Sequence, residues 1–180
     1  MATAATNKDR IAAYAEAMFA VARAEGNLAE VGDELFRFAR ALETNDELRQ
    51  ALTDPHLPVA RRQQIVEDIL GEHATPTTVA LVSMAVGAGR GRDLPEIIDL
   101  LVKMSAAEAN KEVAEVRSAV ELSDEQRRRL AEALEKATGK AVEVKVVVDP
   151  TVLGGIVATI GDTVIDGSVR SRLEQLRSAF

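Results

Sequence analysis

Two histidines, a pair of aspartates, two glycine-rich turns and one serine are the residues of this 180-residue chain whose types and spacing could do chemistry. His56 and His73 lie in loop-like contexts beside prolines or charges. Neither belongs to a His-x-x-x-His pair of the kind that seats a metal on one helix face, so both read as surface histidines. Asp162 and Asp166 have the look of paired carboxylates, but Asp162 occupies a turn where its side chain can hydrogen-bond its own backbone, and Asp166 precedes Gly167 at a helix entrance. Gly154-Gly155 beside a strand could cradle a phosphate or make a bend, and no Lys-Ser/Thr follows it as in a phosphate loop. The run Gly87-Ala88-Gly89-Arg90-Gly91-Arg92 follows a helical pattern, where a dinucleotide fingerprint needs a strand. Ser168 has no Gly-x-Ser-x-Gly context and suits a helix N-cap. The inventory predicts no catalytic residue, no metal and no cofactor, and hence no enzyme. The competing expectation, a regulatory module that binds a nucleotide or small molecule, rests on the glycine turns alone.

The elements that must position these residues fall into two regions. Up to about Ala109 apolar residues recur at helical spacing between short punctuated loops. A first helix carries Ile11, Tyr14, Ala15, Met18, Phe19 and Ala22 and stops at Gly26. A second runs through Leu28, Val31, Leu35, Phe38 and Leu42, and a short third covers Glu47 to Leu52 before the breaker at residues 53–58. Pro58 opens a fourth through Ile65 and Ile69, closed by Gly71. Thr75-Pro76 starts a fifth that runs to Gly87, and a sixth places Leu94, Ile97, Ile98, Leu101 and Met104 on one side. Six helices in this span predict a helical bundle over residues 1–109.

The pattern changes near Lys111. Val113, Val116 and Val120 mark a strand, Ser123 and Gln126 have capping-box spacing before a helix that Gly139 ends, and residues 142–148 are β-branched until Asp149-Pro150 breaks them. Residues 156–160 and 163–165 flank Gly161-Asp162 as a two-residue hairpin, and a terminal amphipathic helix follows. The order β-α-β-β-β-α predicts a small mixed α/β domain over residues 110–180, and the whole an α+β chain.

Composition excludes several functions. The net charge is −7, divided as −5 over residues 1–105 and −2 over 106–180, which disfavours nucleic acid and anionic lipid as partners. The one cationic run, Arg127-Arg128-Arg129, lies between Glu125 and Glu132 on a predicted helix, where local ion pairs account for it. Cysteine is absent, and no stretch of about 18 apolar residues could cross a bilayer. The start, MATAATNKDR, lacks the apolar core of a secretory signal, so a mature cytosolic chain is expected.

The helix from Pro76 to Gly87 has almost no polar face, since Val79, Leu81, Val82, Met84, Ala85 and Val86 leave little else. Such a helix must be covered on all sides, either within the bundle or in part by a partner helix.

Two stretches carry a family resemblance. Residues 14–22, YAEAMFAVA, match a Tyr-Ala-x-Ala-Leu-Phe-x-x-Ala pattern with Met18 in the leucine place, and Leu153 to Leu176 place Gly154, Gly155, Gly161, Asp162, Asp166, Ser168 and Leu173 in a second pattern. Both resemble the F-type ATP synthase delta subunit, the bacterial counterpart of the mitochondrial oligomycin-sensitivity-conferring protein. The resemblance implies a non-catalytic stator subunit, one copy per complex, peripheral at the cytoplasmic face of the cell membrane. It implies that the first and fifth helices form a groove for the N-terminal segment of an alpha subunit, with Tyr14, Met18, Val79, Val82, Ser83 and Val86 as lining candidates. It also implies that the C-terminal domain meets the C-terminal ends of the b subunits.

Overall fold

The structure, a computed structural model, describes residues 6–152 and 154–167. Six helices precede the first strand: α1 (Asn7–Ala24), α2 (Leu28–Thr44), α3 (Asp46–Thr53), α4 (Val59–Leu70), α5 (Pro76–Gly87) and α6 (Leu94–Glu108). There follow β1 (Glu112–Ser118), α7 (Asp124–Thr138), β2 (Val142–Val148), β3 (Ile156–Ile160) and β4 (Thr163–Asp166). The chain is therefore α+β, and it divides into two compact units, residues 1–105 and 106–180. The terminal helix expected after Gly167, with Ser168 as its cap, lies outside the described residues.

Helix ends in the first unit are set by local chemistry. The N–H groups of Gly26 and Asn27 donate to the carbonyls of Arg23 and Ala22, a Schellman closure that Gly26 permits at φ +73°. Gly89 and Arg90 close α5 in the same way onto Val86 and Ala85, and Asn110 and Lys111 close α6 onto Ala107 and Ala106. Asn110 takes the left-handed position at φ 54°, which asparagine tolerates better than other residues with a Cβ. Gly71 behaves differently from expectation. It stays right-handed at φ −57°, and the turn after α4 comes from the His73 and Ala74 N–H groups donating to the Leu70 carbonyl.

Met18, Leu35, Leu42, Leu52, Val66, Val82, Val86, Leu94, Ile97, Ile98 and Leu101 are fully enclosed in this unit. On α4 the inward residues are Val66 and Leu70, whereas Ile69 is exposed. A 3.6-residue turn cannot bring 65, 66, 69 and 70 equally inward, and packing against α3 and α5 selects 66 and 70.

The second unit is built on a four-stranded sheet in the order β2-β1-β3-β4. β1 and β2 are parallel, in register from Glu112 with Val142 to Ser118 with Val148, so their link must cross over, and α7 is that crossover. Ser123 and Gln126 form the capping box of α7, and Gly139 ends it at φ 72°. Arg129 pairs with Glu125 at 2.6 Å on its solvent side. β3 runs antiparallel to β1, and β4 to β3. Ile160 pairs with Thr163, leaving Gly161-Asp162 as a two-residue turn with positive φ, 55°, at its first position alone, which is the II′ pattern.

One sheet face packs on α7 through Ala114, Val116, Val142, Ala158, Ile160 and Leu134. The inward residues of β1 are thus Ala114, Val116 and Ser118. Val113, which lies in the strand as expected, points to the opposite face because alternate strand residues change sides, whereas Val120 lies past the strand end and is 65% exposed. Asp149 ends β2 in an Asx turn, its Oδ1 accepting from the Thr151 N–H at 2.9 Å and the Thr151 hydroxyl at 2.6 Å. Those hydrogen bonds hold its carboxyl below the usual range.

Gly154 and Gly155 sit at φ 69° and 76°, immediately before β3. A β-branched residue there is strained by about 1–3 kcal/mol. Gly155→Val is expected to lower amide-exchange protection across residues 112–166 and to leave residues 7–105 as protected as in the parent. Unchanged protection of β3 would refute this account.

Candidate functional site

α5 is helical for local reasons: Thr75 accepts from the Thr78 N–H at 3.3 Å as N-cap, and Pro76 fills the first turn, where its missing N–H costs nothing. Apolarity alone cannot set the rotation of this helix, since every side of it is greasy. A carboxylate does so. Glu34, within α2 and nearly buried, receives the Thr75 N–H at 3.0 Å on each oxygen. It also receives the Thr75 hydroxyl at 2.9 Å and the Thr78 hydroxyl at 2.6 Å. Asn27 Nδ2, at the start of α2, donates to Thr77 Oγ1 at 3.0 Å. With its first turn held, α5 buries Thr78, Leu81, Val82, Ala85 and Val86 and exposes Pro76, Ala80 and Met84. At 100° per residue the exposed three form one strip, on the far side from Val82.

α1 starts at a capping box in which Thr6 and Asp9 exchange hydrogen bonds, which hold the Asp9 carboxyl below its usual range. It buries Ile11, Ala15, Met18 and Ala22, and its outer side carries Ala13, Ala17, Ala20, Val21 and Ala24. α1 packs against α2 and α5. Tyr14, half-buried, lies under the guanidinium of Arg90 at 5.9 Å, and Arg90 is itself held by Asp93 at 3.3 Å.

α2 also grips α6. Arg40 stacks over the Phe36 ring at 4.8 Å and pairs with Glu43 at 2.6 Å and with Asp99 of α6. Burial pushes the Asp99 carboxyl up, against the opposing pull of the Arg40 charge.

The lining candidates separate on this geometry. Met18, Val82 and Val86 are completely enclosed by the folded chain and belong to its core. Tyr14, Val79 and Ser83 are partly exposed. Ser83 sits on the α4 side of α5, where Gln63 Nε2 donates to its carbonyl at 3.1 Å. Sequence reasoning named Met84 as part of the apolar helix but not as its exposed member, and it passed over Val21 and Glu34. Glu34 had a legible signal: it lies on the inward stripe of α2, between Val31 and Leu35.

His56 and His73 are exposed. The glycine run after α5 has packing reasons, since a Cβ on Gly91 would meet the Leu52 carbonyl oxygen at 2.8 Å. Asp162 is in the hairpin turn and Asp166 ends β4. Among the described residues no three His, Cys, Asp or Glu side chains group to hold a metal.

The model of one protein family, the ATP synthase delta (OSCP) subunit, matches residues 11–180. The chain belongs to this family. It is 44% identical over 153 residues to ATP synthase subunit delta of Streptomyces lividans, covering 85% of this chain and 56% of that protein. It is 42% identical to that of Nocardia farcinica, over 90% of this chain and 60% of the relative. The chain thus spans little more than half the length of these relatives. With subunit delta of Desulforudis audaxviator the match is nearly end to end, 35% identical over 94% of this chain and 93% of the other. A chain in the cryo-EM structure of the Toxoplasma gondii mitochondrial ATP synthase hexamer shares the fold, with a TM-score of 0.57 at 22% identity over 94% of this chain and 96% of that one.

Removing the Glu34 carboxylate leaves the buried Thr78 hydroxyl and the Thr75 N–H without their acceptor. Glu34→Ala is expected to destabilise the first unit by about 2–3 kcal/mol in chemical denaturation, while Glu16→Ala on the exposed side of α1 stays within about 0.5 kcal/mol of the parent. Equal effects at the two positions would remove the clamp from the account of α5.

Proposed function

We propose that this chain is a non-catalytic stator subunit of the F-type ATP synthase, one copy per complex, that ties the catalytic head to the peripheral stalk. The observation that carries the reading is the family match over residues 11–180. In this proposal residues 1–109 act as a six-helix bundle and hold the N-terminal segment of an alpha subunit along α1 and α5. Residues 110–180 form the α/β domain that meets the C-terminal ends of the b subunits. The subunit lies at the cytoplasmic face of the cell membrane through these partners. Consistently, no helix among the described residues is long and apolar enough to cross a membrane.

The work is mechanical. Torque on the head must be resisted without slippage, and that requires enclosed apolar contact rather than solvated charge pairs, which are weak and salt-sensitive. The outer sides of α1 and α5 suit an amphipathic helix: Ala17, Val21, Ala80 and Met84 are exposed and small or apolar, and Tyr14 lies at the edge with its ring fixed by Arg90. Met18, Val82 and Val86 support these contacts from beneath. In the second domain Gly154, Gly155, Gly161, Asp162 and Asp166 serve the turns and ends that shape the sheet.

Two measurements test the reading. After detergent solubilisation of membranes the chain is expected to purify with the alpha and b subunits, and recovery free of every ATP synthase subunit would overturn the assignment. Val21 is 44% exposed, so Val21→Glu should fold with a stability change within about 0.5 kcal/mol. It should bind a peptide of the alpha-subunit N-terminus at least about tenfold more weakly, or roughly 1.4 kcal/mol. Val82→Glu, by contrast, should unfold the first unit, because it places a charge in the core. Undiminished peptide binding by folded Val21→Glu would move the partner to another face.

A further inference from the structure

We propose that Met84 is an oxidation-sensitive contact of the α1/α5 surface, so that its conversion to the sulfoxide blocks docking of the alpha-subunit segment. This rests on the reading of that surface given above. The described methionines differ sharply in access: Met18 is fully enclosed, Met104 is half-buried on α6, and Met84 is 42% exposed. Met84 stands on the exposed strip of α5 with Pro76 and Ala80, and the exposed residues of the neighbouring α1 include Ala13, Ala17, Ala20, Val21 and Ala24 beside Glu16 and Arg23. This setting leaves the Met84 side chain open to solvent while the chain is free and covers it once a partner helix lies down.

The reaction is a two-electron oxidation by a peroxide. The Sδ lone pair attacks one peroxide oxygen, the S–O bond forms as the O–O bond breaks, and the departing hydroxide takes the proton of the transferred oxygen to leave as water. The sulfur is oxidised and the peroxide reduced. The product is a sulfoxide oxygen, a strong hydrogen-bond acceptor. In water it is satisfied, so the free chain keeps its fold. Under a partner helix, Ala80, one turn away on the same strip of α5, offers no side-chain donor, and a buried acceptor without a donor opposes binding. Oxidation would thereby act on the unassembled subunit and spare the assembled one, whose sulfur is covered.

The test treats the full chain with hydrogen peroxide, maps oxidised positions by mass spectrometry, and titrates a synthetic peptide of the alpha-subunit N-terminus. Met84 should oxidise at least about tenfold faster than Met18, and bound peptide should slow that oxidation. The oxidised chain should keep its circular dichroism and bind the peptide at least about tenfold more weakly. Methionine sulfoxide reductase should restore affinity, since sulfoxide formation is reversible by that enzyme. Met84→Leu carries no oxidisable sulfur at this position, so whatever its own affinity for the peptide, peroxide treatment should leave that affinity unchanged. If the parent binds the peptide but oxidation leaves affinity unchanged, or weakens Met84→Leu equally, the oxidation inference falls and the surface reading stands. Loss of the fold on oxidation would also overturn it. If the unoxidised chain does not bind the peptide at all, the surface reading itself falls and takes this inference with it.

Discussion

The arrangement of the helical unit depends on a carboxylate that has left water. Glu34 gives up most of its hydration, and it is compensated by one backbone N–H and two hydroxyls at the start of α5. Those donors lie beside a helix N-terminus, where the peptide dipoles also favour negative charge. The interaction matters because α5 is apolar on every side, and hydrophobic burial, which has no direction, cannot choose which side faces inward. Hydrogen bonds do have direction. Fixing Thr75 and Thr78 on α2 fixes the rotation of the helix, and so decides that Val82 and Val86 are core and that Ala80 and Met84 meet solvent.

α2 is consequently the organising helix of the unit. Six residues after Glu34, Arg40 stacks on Phe36 and reaches Asp99, so one helix holds both α5 and α6 by polar contacts that tolerate little rotation. Its apolar stripe, with Val31, Leu35, Phe38 and Leu42 buried, supplies the bulk of its packing, while the two charged residues supply the register. The outer strip on α1 and α5 is a consequence of this register. The strip cannot shift by rotation of α5 without leaving Glu34 unpaired.

The second unit is constrained differently. A parallel β1-β2 pair cannot be joined by a tight turn, so α7 is obligatory and covers one face of the sheet. The antiparallel β3-β4 pair is made by a local turn with glycine at its positive-φ position. Glycine conformations at 154 and 155 start β3 at the angle that lets it pair with β1 on the side away from β2.

Element boundaries were written in the sequence because their causes are local. Gly26, Thr75-Pro76, Ser123 with Gln126, Gly139 and Gly161-Asp162 each act within one turn of chain, and the helices and strands begin and end at them. Family membership was legible too, from two stretches whose residue types recur in fixed order. What lay beyond the sequence was which face each element buries. Val113 and Ala114 are both acceptable inward residues until β1 is seen between β2 and β3, and Ile65, Val66, Ile69 and Leu70 compete for one narrow interface until α4 meets its neighbours. On α5 the sequence determined a helix without a polar side, and only the tertiary structure decided which strip remains open. The physical reason is that hydrophobicity specifies how much surface must be covered, whereas the direction of covering comes from long-range partners, here a carboxylate forty-one positions away from the threonine it holds.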